Sequence, residues 1–410
     1  MKNEDVFTPI LRFAVMSDIH YKDEHTVERE RFESAMKTVY DISKKSDTYK
    51  YLDALFIVGD FANSGSEIQM KAFKKSLDEN VREGTEITVS VASHEFNVNN
   101  GGESGALEKL GRIFGMEPDT HKVINGFHFI SVSTTNGCRF DDSKQSWVKR
   151  ELKAAAADDP KKPIFFFQHP HISGTVYGSI NWGEDDLTHI LMNYPQIIDF
   201  SGHSHAPIND PRSIHQKHFT SLGTGTLSYF ELDEFDKVYG TVPPKANQAA
   251  QMLIVQADKN NRVRVYPYDI ISNNYFPFVW KIDCPSNPAT FTYTDERYNS
   301  TVEPFFRQGA KISVSDISFD KCVITFDQAS IESEYVDDYN IIIKRVDSGI
   351  ICRQISIWSE YYFYNMPQTL SVVAKELEAD TKYAVEVYAN SFWRKQSKKP
   401  LFAEFKTCKK

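Results

Sequence analysis

Asp18, His20, Asp60, His94, His169, His203 and His205 are the side chains of this 410-residue sequence best suited to chemistry. Carboxylates and imidazoles suit divalent or trivalent cations of the manganese, iron or zinc type. Asp18 and His20 stand two residues apart, and so do His203 and His205. Asp60 offers two oxygens and is the natural bridge between two cations. Two ions on one rim would make a hydrolytic centre.

The residues must be brought together, and the sequence around them shows how. Each cluster follows a short apolar run: Phe13–Met16 before Asp18, Leu55–Val58 before Asp60, Ile164–Phe167 before His169 and Ile197–Phe200 before His203. Such runs predict buried strands, and in open α/β sheets functional groups gather beyond the carboxyl ends of the strands. Helical spacing predicts helices over 27–44, 66–81, 104–114, 142–157 and 185–193, an alternation that argues for β-α-β units. Further strands at 123–132, 216–223, 251–256 and 263–268 lack intervening helices and suit a second sheet. The expected fold class is α/β, an αββα four-layer sandwich.

The motifs, in order, are Asp18-Ile19-His20, Gly59-Asp60-Phe61-Ala62-Asn63, Ala92-Ser93-His94-Glu95, His169, and Gly202-His203-Ser204-His205. The set resembles the calcineurin-like metallophosphoesterase family, whose signature runs D-x-H, G-D-x-x-D/N, G-N-H-D/E, H, G-H-x-H, over roughly residues 10–270. The resemblance implies two metal sites. One would take Asp18, His20, Asp60 and His205; the other Asp60, His169, His203 and position 93. A metal-activated water would attack phosphorus, and His94 would bind the phosphoryl oxygen or protonate the leaving group. The implied activity is hydrolysis of a phosphate mono- or diester, with Asp60 and His94 as catalytic residues.

Two departures stand out. The third motif reads Ala92-Ser93 where the family has Gly-Asn. A serine hydroxyl is a shorter and weaker ligand than an asparagine oxygen, so the second site should bind more weakly or borrow from Asn97, Asn99 or Asn100. A protein that kept its metal site but lost efficient catalysis is the alternative reading. The second motif lacks the arginine of protein phosphatases, which would clamp phosphate, and the neutral Asn63 stands where a carboxylate would orient His94. Asn63 and His171, two residues beyond His169, are the expected substrate-binding residues. The sequence resembles small bacterial phosphodiesterases and purple-acid-phosphatase-like enzymes more than protein phosphatases, although Phe61 and Ala62 occupy the stretch where purple acid phosphatases carry a tyrosine ligand.

A net charge of −9 argues against a nucleic-acid backbone as main partner, and no run of eighteen apolar residues predicts a membrane span. The polar start Met1–Asp5 has no apolar signal core, so a cytoplasmic location is expected. The five cysteines, Cys138, Cys284, Cys322, Cys352 and Cys408, are scattered and read as reduced thiols without a metal role. His25, His121, His128, His189 and His215 have no motif around them and read as ordinary hydrogen-bonding histidines.

The sequence predicts two domains. The first covers 7–272; prolines and asparagines over 273–304 predict a linker; 305–410 reads as short strands. Those strands, at 311–314, 322–326, 339–345, 369–374, 383–390 and 401–406, predict an all-β sandwich. The segment Leu377–Val387 resembles the tyrosine-corner segment of fibronectin type III domains, which implies that the Tyr383 hydroxyl bonds to upstream backbone. Docking onto the first domain, shaping its cleft or recruiting a partner are the roles expected of it.

Overall fold

A computed structural model describes residues 6–22, 26–97, 102–233, 235, 239–332 and 334–410. Two compact units divide the chain, the first ending at Thr294 and the second covering Asp295–Lys410. The strands of the first unit are β1 Pro9–Met16, β2 Ala54–Val58, β3 Glu86–Ser90, β4 Asp119–Ile124, β5 Phe127–Val132, β6 Ile164–Phe167, β7 Ile197–Ser201, β8 Ile214–Gln216, β9 Thr220–Gly223, β10 Gln251–Asp258, β11 Val263–Asp269, β12 Asn274–Tyr275 and β13 Trp280–Ile282. They form the two large sheets, apart from two short pairs, His171–Ile172 with Gly183–Glu184 and Leu232–Asp233 with Tyr239–Thr241. One large sheet runs β12-β11-β10-β1-β2-β3 with β13 also on β11; the other runs β8-β9-β7-β6-β5-β4.

Phenylalanines join the two sheets. The Phe13 ring of β1 meets Phe129, Phe165, Phe167 and Phe200 of the opposite sheet at centroid distances of 4.8–6.1 Å, mostly edge to face. Phe56 stacks on Phe167 at 3.9 Å. All six rings are buried, and such pairs contribute about 0.5–1.5 kcal/mol each beyond area burial. The alternate residues of β1, Ala14 and Met16, face outward and pack with Phe32, Met36 and Val39 of α1 (Val27–Lys45) and with Met70, Phe73 and Leu77 of α2 (Glu67–Asn80). On the other sheet Val148, Leu152 and Ala155 of α4 (Asp142–Asp158) cover Ile130, Ile164 and Phe166. A further helix, α3 (Gly102–Lys109), follows the third motif. Period 2 in the strands and period 3.6 in the helices thus give the αββα layering.

Helix starts follow side-chain caps. Ser66 accepts from the Gln69 amide and Asp141 from the Lys144 amide, each relieving an otherwise unpaired first-turn donor. Three sequence expectations need correction. The single strand over 123–132 is a hairpin, because Asn125 (φ 50°) and Gly126 (φ 80°) form a left-handed turn that Asn-Gly favours. The stretch 216–223 is likewise two antiparallel strands, β8 and β9. The expected linker over 273–304 is largely part of the first unit: β12 and β13 both pair with β11, and Trp280 and Ile282 are buried. The boundary falls between Thr294 and Asp295. Prolines there punctuate turns between edge strands, where a missing N–H costs little.

The second unit has β14 Ile312–Ser315, β15 Cys322–Asp327, β16 Val336–Arg345, β17 Ile351–Trp358, β18 Thr369–Ala374, β19 Lys382–Ser391 and β20 Leu401–Lys406. Its sheets run β14-β15-β18 and β17-β16-β19-β20. Alternate inward residues such as Ile324, Ile341, Ile343, Val385 and Val387 build its core. The Tyr383 hydroxyl accepts the Glu378 amide at 2.9 Å, as the tyrosine-corner segment implies. The sequence reading missed β17, whose inward and outward residues are both only partly buried and give no alternation to read.

Among the described residues, no helix is long and apolar enough to cross a membrane.

Candidate metal centre

The loops after β1, β2, β3, β6 and β7 meet at one rim of the two sheets. Backbone bonds zip the first two together: Asp18, His20 and Tyr21 amides donate to Gly59, Asp60 and Phe61 carbonyls at 3.3, 3.0 and 2.8 Å. Glu95 ties in the third. Its buried carboxyl accepts from the backbone amides of Asp60, Ala62 and Ala92 at 3.0, 2.8 and 2.9 Å. Burial and the neighbouring Asp60 push Glu95 up to about 8, while the three amides favour its charged form.

Five of the rim residues hold left-handed backbone: Asp18 (φ 51°), His20 (53°), Asp60 (50°), His203 (71°) and His205 (53°). For residues with a Cβ that conformation costs about 1–3 kcal/mol each, and it concentrates where a site needs it. It turns the chain sharply at each strand end, so that adjacent side chains reach the rim from a strand just left. Glycines make the space. A Cβ on Gly59 would come within 2.7 Å of Ala92 Cβ and the His169 ring, and one on Gly202 within 2.5 Å of Asp18 Oδ2.

Three groups of side chains could each hold a cation: Asp18, His20 and His205; His20, Asp60 and His94; and Asp60, His169 and His203. Asp60 and His20 are shared. The Nε2 atoms of His20 and His205 face each other at 3.0 Å, and His205 Nε2 lies 3.3 Å from Asp18 Oδ1. His169 Nε2 stands 3.0 Å from Asp60 Oδ2 and 3.7 Å from Asp18 Oδ1. It is buried and makes no hydrogen bond. Most of the imidazoles are aimed from behind: His169 Nδ1 meets the Val58 carbonyl at 2.7 Å, His205 Nδ1 the Tyr229 carbonyl at 2.8 Å and His94 Nδ1 the Asn63 carbonyl at 2.6 Å. Such partners fix the tautomer and leave Nε2 for the rim.

The electrostatics favour a positive occupant. Burial opposes a charge on His169, but Asp60 and Asp18 outweigh it and raise the group to about 10. Burial would raise Asp60 as well, yet His169, His94 and His20 hold it well below the usual carboxylate range. Burial and neighbouring imidazoles keep His20 well below 6.5 and His203 near about 3. The rim therefore gathers one proton onto His169 between two carboxylates, a place equally fit for a metal cation. The donor set, oxygen and nitrogen with an unpartnered buried Nε2, fits ions of the manganese, iron or zinc type.

Not every expected residue lies as the sequence suggested. The Ser93 hydroxyl donates to Asp60 Oδ2 at 2.7 Å, which engages it with a carboxylate. Asn63 reaches His94 with its backbone carbonyl, so the loss of a carboxylate side chain there does not leave the imidazole without an acceptor. His171 is buried, and both its ring nitrogens are engaged, meeting Ser201 Oγ and Ser204 Oγ at 2.7 Å each. Asn99 and Asn100 lie outside the described residues, as does His25. His121 and His128 belong to a separate chain of contacts with Glu151 and Asp158.

Other neighbours of the rim carried no sequence motif. Ser17 Oγ donates to Asp18 Oδ2 at 2.5 Å and meets Thr224 Oγ1 at 2.7 Å. The Tyr229 ring packs on His205 and His20 at 4.3 and 5.8 Å. Trp182 sets its ring edge-on to His203 at 5.0 Å, and Cys138 Sγ lies 3.3 Å from His203 Nε2.

The family model for calcineurin-like phosphoesterase matches residues 11–207, which span every one of these rim-forming motifs. Residues 11–207 are thus similar to calcineurin-like phosphoesterases, within a unit that runs on to Thr294. A purple acid phosphatase from yellow lupin seeds is similar at 13% identity over 67% of this chain and 53% of its own, with a TM-score of 0.48. The chain thus spans about half the length of that phosphatase. The second unit has likenesses among fibronectin type III domains. Those of human collagen XX and human contactin 1 share 14% and 18% identity over 26% and 27% of this chain, cover 93% and 85% of their own, and give TM-scores of 0.19 and 0.20. No curated protein matches the chain.

Proposed function

We propose that the unit similar to calcineurin-like phosphoesterases hydrolyses a phosphate mono- or diester with two metal ions. The observation that carries this reading is the sharing of Asp60: one group joins Asp18, His20 and His205, another joins Asp60, His169 and His203, and a third links them through His20, Asp60 and His94. When bound, a pair of ions lowers the pKa of a water and stabilises the entering and leaving oxygens of an in-line displacement. The chain supplies the rest. His94 takes its orientation from the Asn63 carbonyl, and its backbone amide donates to Asp60 Oδ1 at 2.9 Å. Its Nε2 is then free to bind a phosphoryl oxygen or give a proton to the leaving group. Val58, Tyr229 and Glu95 hold His169, His205 and the Asp60 loop in place, so little rearrangement is needed on binding.

The Ser93–Asp60 hydrogen bond favours a second reading, a centre that binds one ion well and turns over slowly. Elemental analysis of the purified protein, with hydrolysis of an aryl phosphate diester, separates the two. Two ions per chain with turnover is the expected result; a protein saturated with manganese, iron or zinc that hydrolyses neither a mono- nor a diester ends the proposal. Replacing His94 with Gln should cut kcat by about 10²–10⁴ with ion content unchanged.

A further inference from the structure

Three imidazoles of the rim hold one nitrogen on an outer acceptor. For His169, His205 and His94 the outer nitrogen is Nδ1 and the acceptor is a backbone carbonyl. His203 reverses the pattern. Its Nε2, not its Nδ1, is the nitrogen that meets a partner, the sulfur of Cys138 at 3.3 Å. We propose that Cys138 is the positioning residue of His203: its sulfur accepts the Nε2–H and leaves Nδ1 as the nitrogen offered to the ion held with Asp60 and His169. This rests on the two-ion reading above.

The cysteine is fixed rather than adventitious. It sits in a tight turn closed by the Thr135 amide on the Arg139 carbonyl and the Cys138 amide on the Asn136 carbonyl, both at 2.8 Å, with Gly137 at φ 72°. Arg139 pairs with Asp186, and the Phe140 amide donates to the same carboxylate at 2.9 Å. The turn lies against the third motif, since a Cβ on Gly137 would stand 3.9 Å from Ser93 Cα. Trp182 meets the His203 ring at 78°, so the imidazole is gripped from two directions. A second feature marks the same place: the buried Nε2 of His169, 3.0 Å from Asp60 Oδ2, belongs to the same group as Asp60 and His203.

Ligation by Cys138 is the arrangement that competes with positioning. Two ligands on one tetrahedral ion, with bonds of about 2.3 Å to sulfur and 2.0–2.1 Å to nitrogen, lie about 3.5 Å apart. The observed 3.3 Å is near that value, so ligation by Cys138 is the competing arrangement that a test must exclude. A positioning sulfur is replaceable by another acceptor; a ligating thiolate gives a metal-specific signature.

The experiment compares Cys138→Ser and Cys138→Ala with the wild type, titrating chelated protein with cobalt(II) and following absorption and ion stoichiometry. The wild type should take two ions. Cys138→Ala should lose about 10–100-fold in affinity for one of them, in the range outer-shell partners supply, while the other ion is unmoved. Cys138→Ser keeps an acceptor and should stay within about threefold of wild type, which rules out simple misfolding as the cause of the alanine effect. Equal affinities in wild type and Cys138→Ala overturn the proposal. So does an intense near-ultraviolet thiolate band in the wild type that Cys138→Ser abolishes, since the sulfur would then be a ligand. A wild type that takes one ion ends the two-ion reading itself, and the proposal with it.

Discussion

Ser93 Oγ donates to Asp60 Oδ2 at 2.7 Å, the same oxygen that stands 3.0 Å from His169 Nε2. The serine that replaces a family asparagine thus bonds to the shared carboxylate and competes with any ion for that oxygen. Its effect should fall on the group of Asp60, His169 and His203, and not on Asp18, His20 and His205.

Restoring asparagine tests this. Ser93→Asn frees the Asp60 oxygen and supplies a neutral ligand, and should tighten one ion by about 1–3 kcal/mol, the size of an unsatisfied polar contact. Turnover at limiting metal should rise with it, while the other ion keeps its affinity. Isothermal titration of chelated protein reads both. Unchanged affinity and rate would show that the serine is a competent substitute.

Three rim imidazoles should each tie the stability of the ion-free protein to pH, beside the buried Glu95, whose carboxyl at about 8 contributes stability that is lost as pH rises through that value. Burial and neighbouring imidazoles hold His203 near about 3 and His20 well below 6.5, while the unfolded chain titrates both near 6.5. In that interval the unfolded chain binds more protons, so stability rises with pH up to about 6.5. His169 runs the other way. Burial would lower it, but Asp60 and Asp18 raise it to about 10, so its contribution is complete below about 6.5 and is lost as pH climbs through about 10. Each group changes the slope by at most about 1.4 kcal/mol per pH unit. The difference in denaturant midpoint between chelated wild type and His169→Gln should change as pH climbs from about 6.5 to about 10, and a constant difference would remove the His169 charge from the account. Metal binding at neutral pH should release about one proton from His169, read as heats that depend on the buffer.

Tyr383→Phe deletes the acceptor of the Glu378 amide without altering the ring. It should lower the stability of the second unit by about 0.5–1.5 kcal/mol and leave ion affinity in the first unit unchanged. Thermal unfolding of the full chain, followed beside a metal titration, checks both. A change in ion affinity would show that the two units are energetically coupled.

The layered fold was legible because its causes are local. Apolar runs such as Ile164–Phe167 read as buried strands, α4 shows its cap at Asp141, and Tyr383 shows its corner five residues after Glu378. The errors have local causes too. Asn125-Gly126 is a turn signal inside an apolar stretch, and β12 and β13 are too short to show a period.

The rim divides along the same line. Residue types and their place after strands determined Asp18, His20, Asp60, His94, His169, His203 and His205, because a strand end delivers its next residues to one edge of the sheet. Only the tertiary structure could decide which oxygen Ser93 meets, that His171 is spent on Ser201 and Ser204, and that Cys138, far from every motif in sequence, lies beside His203. Those contacts join loops 30–65 residues apart. Their geometry depends on left-handed turns at Asp18, His20, Asp60, His203 and His205, which no local propensity favours and which the packing of two sheets imposes.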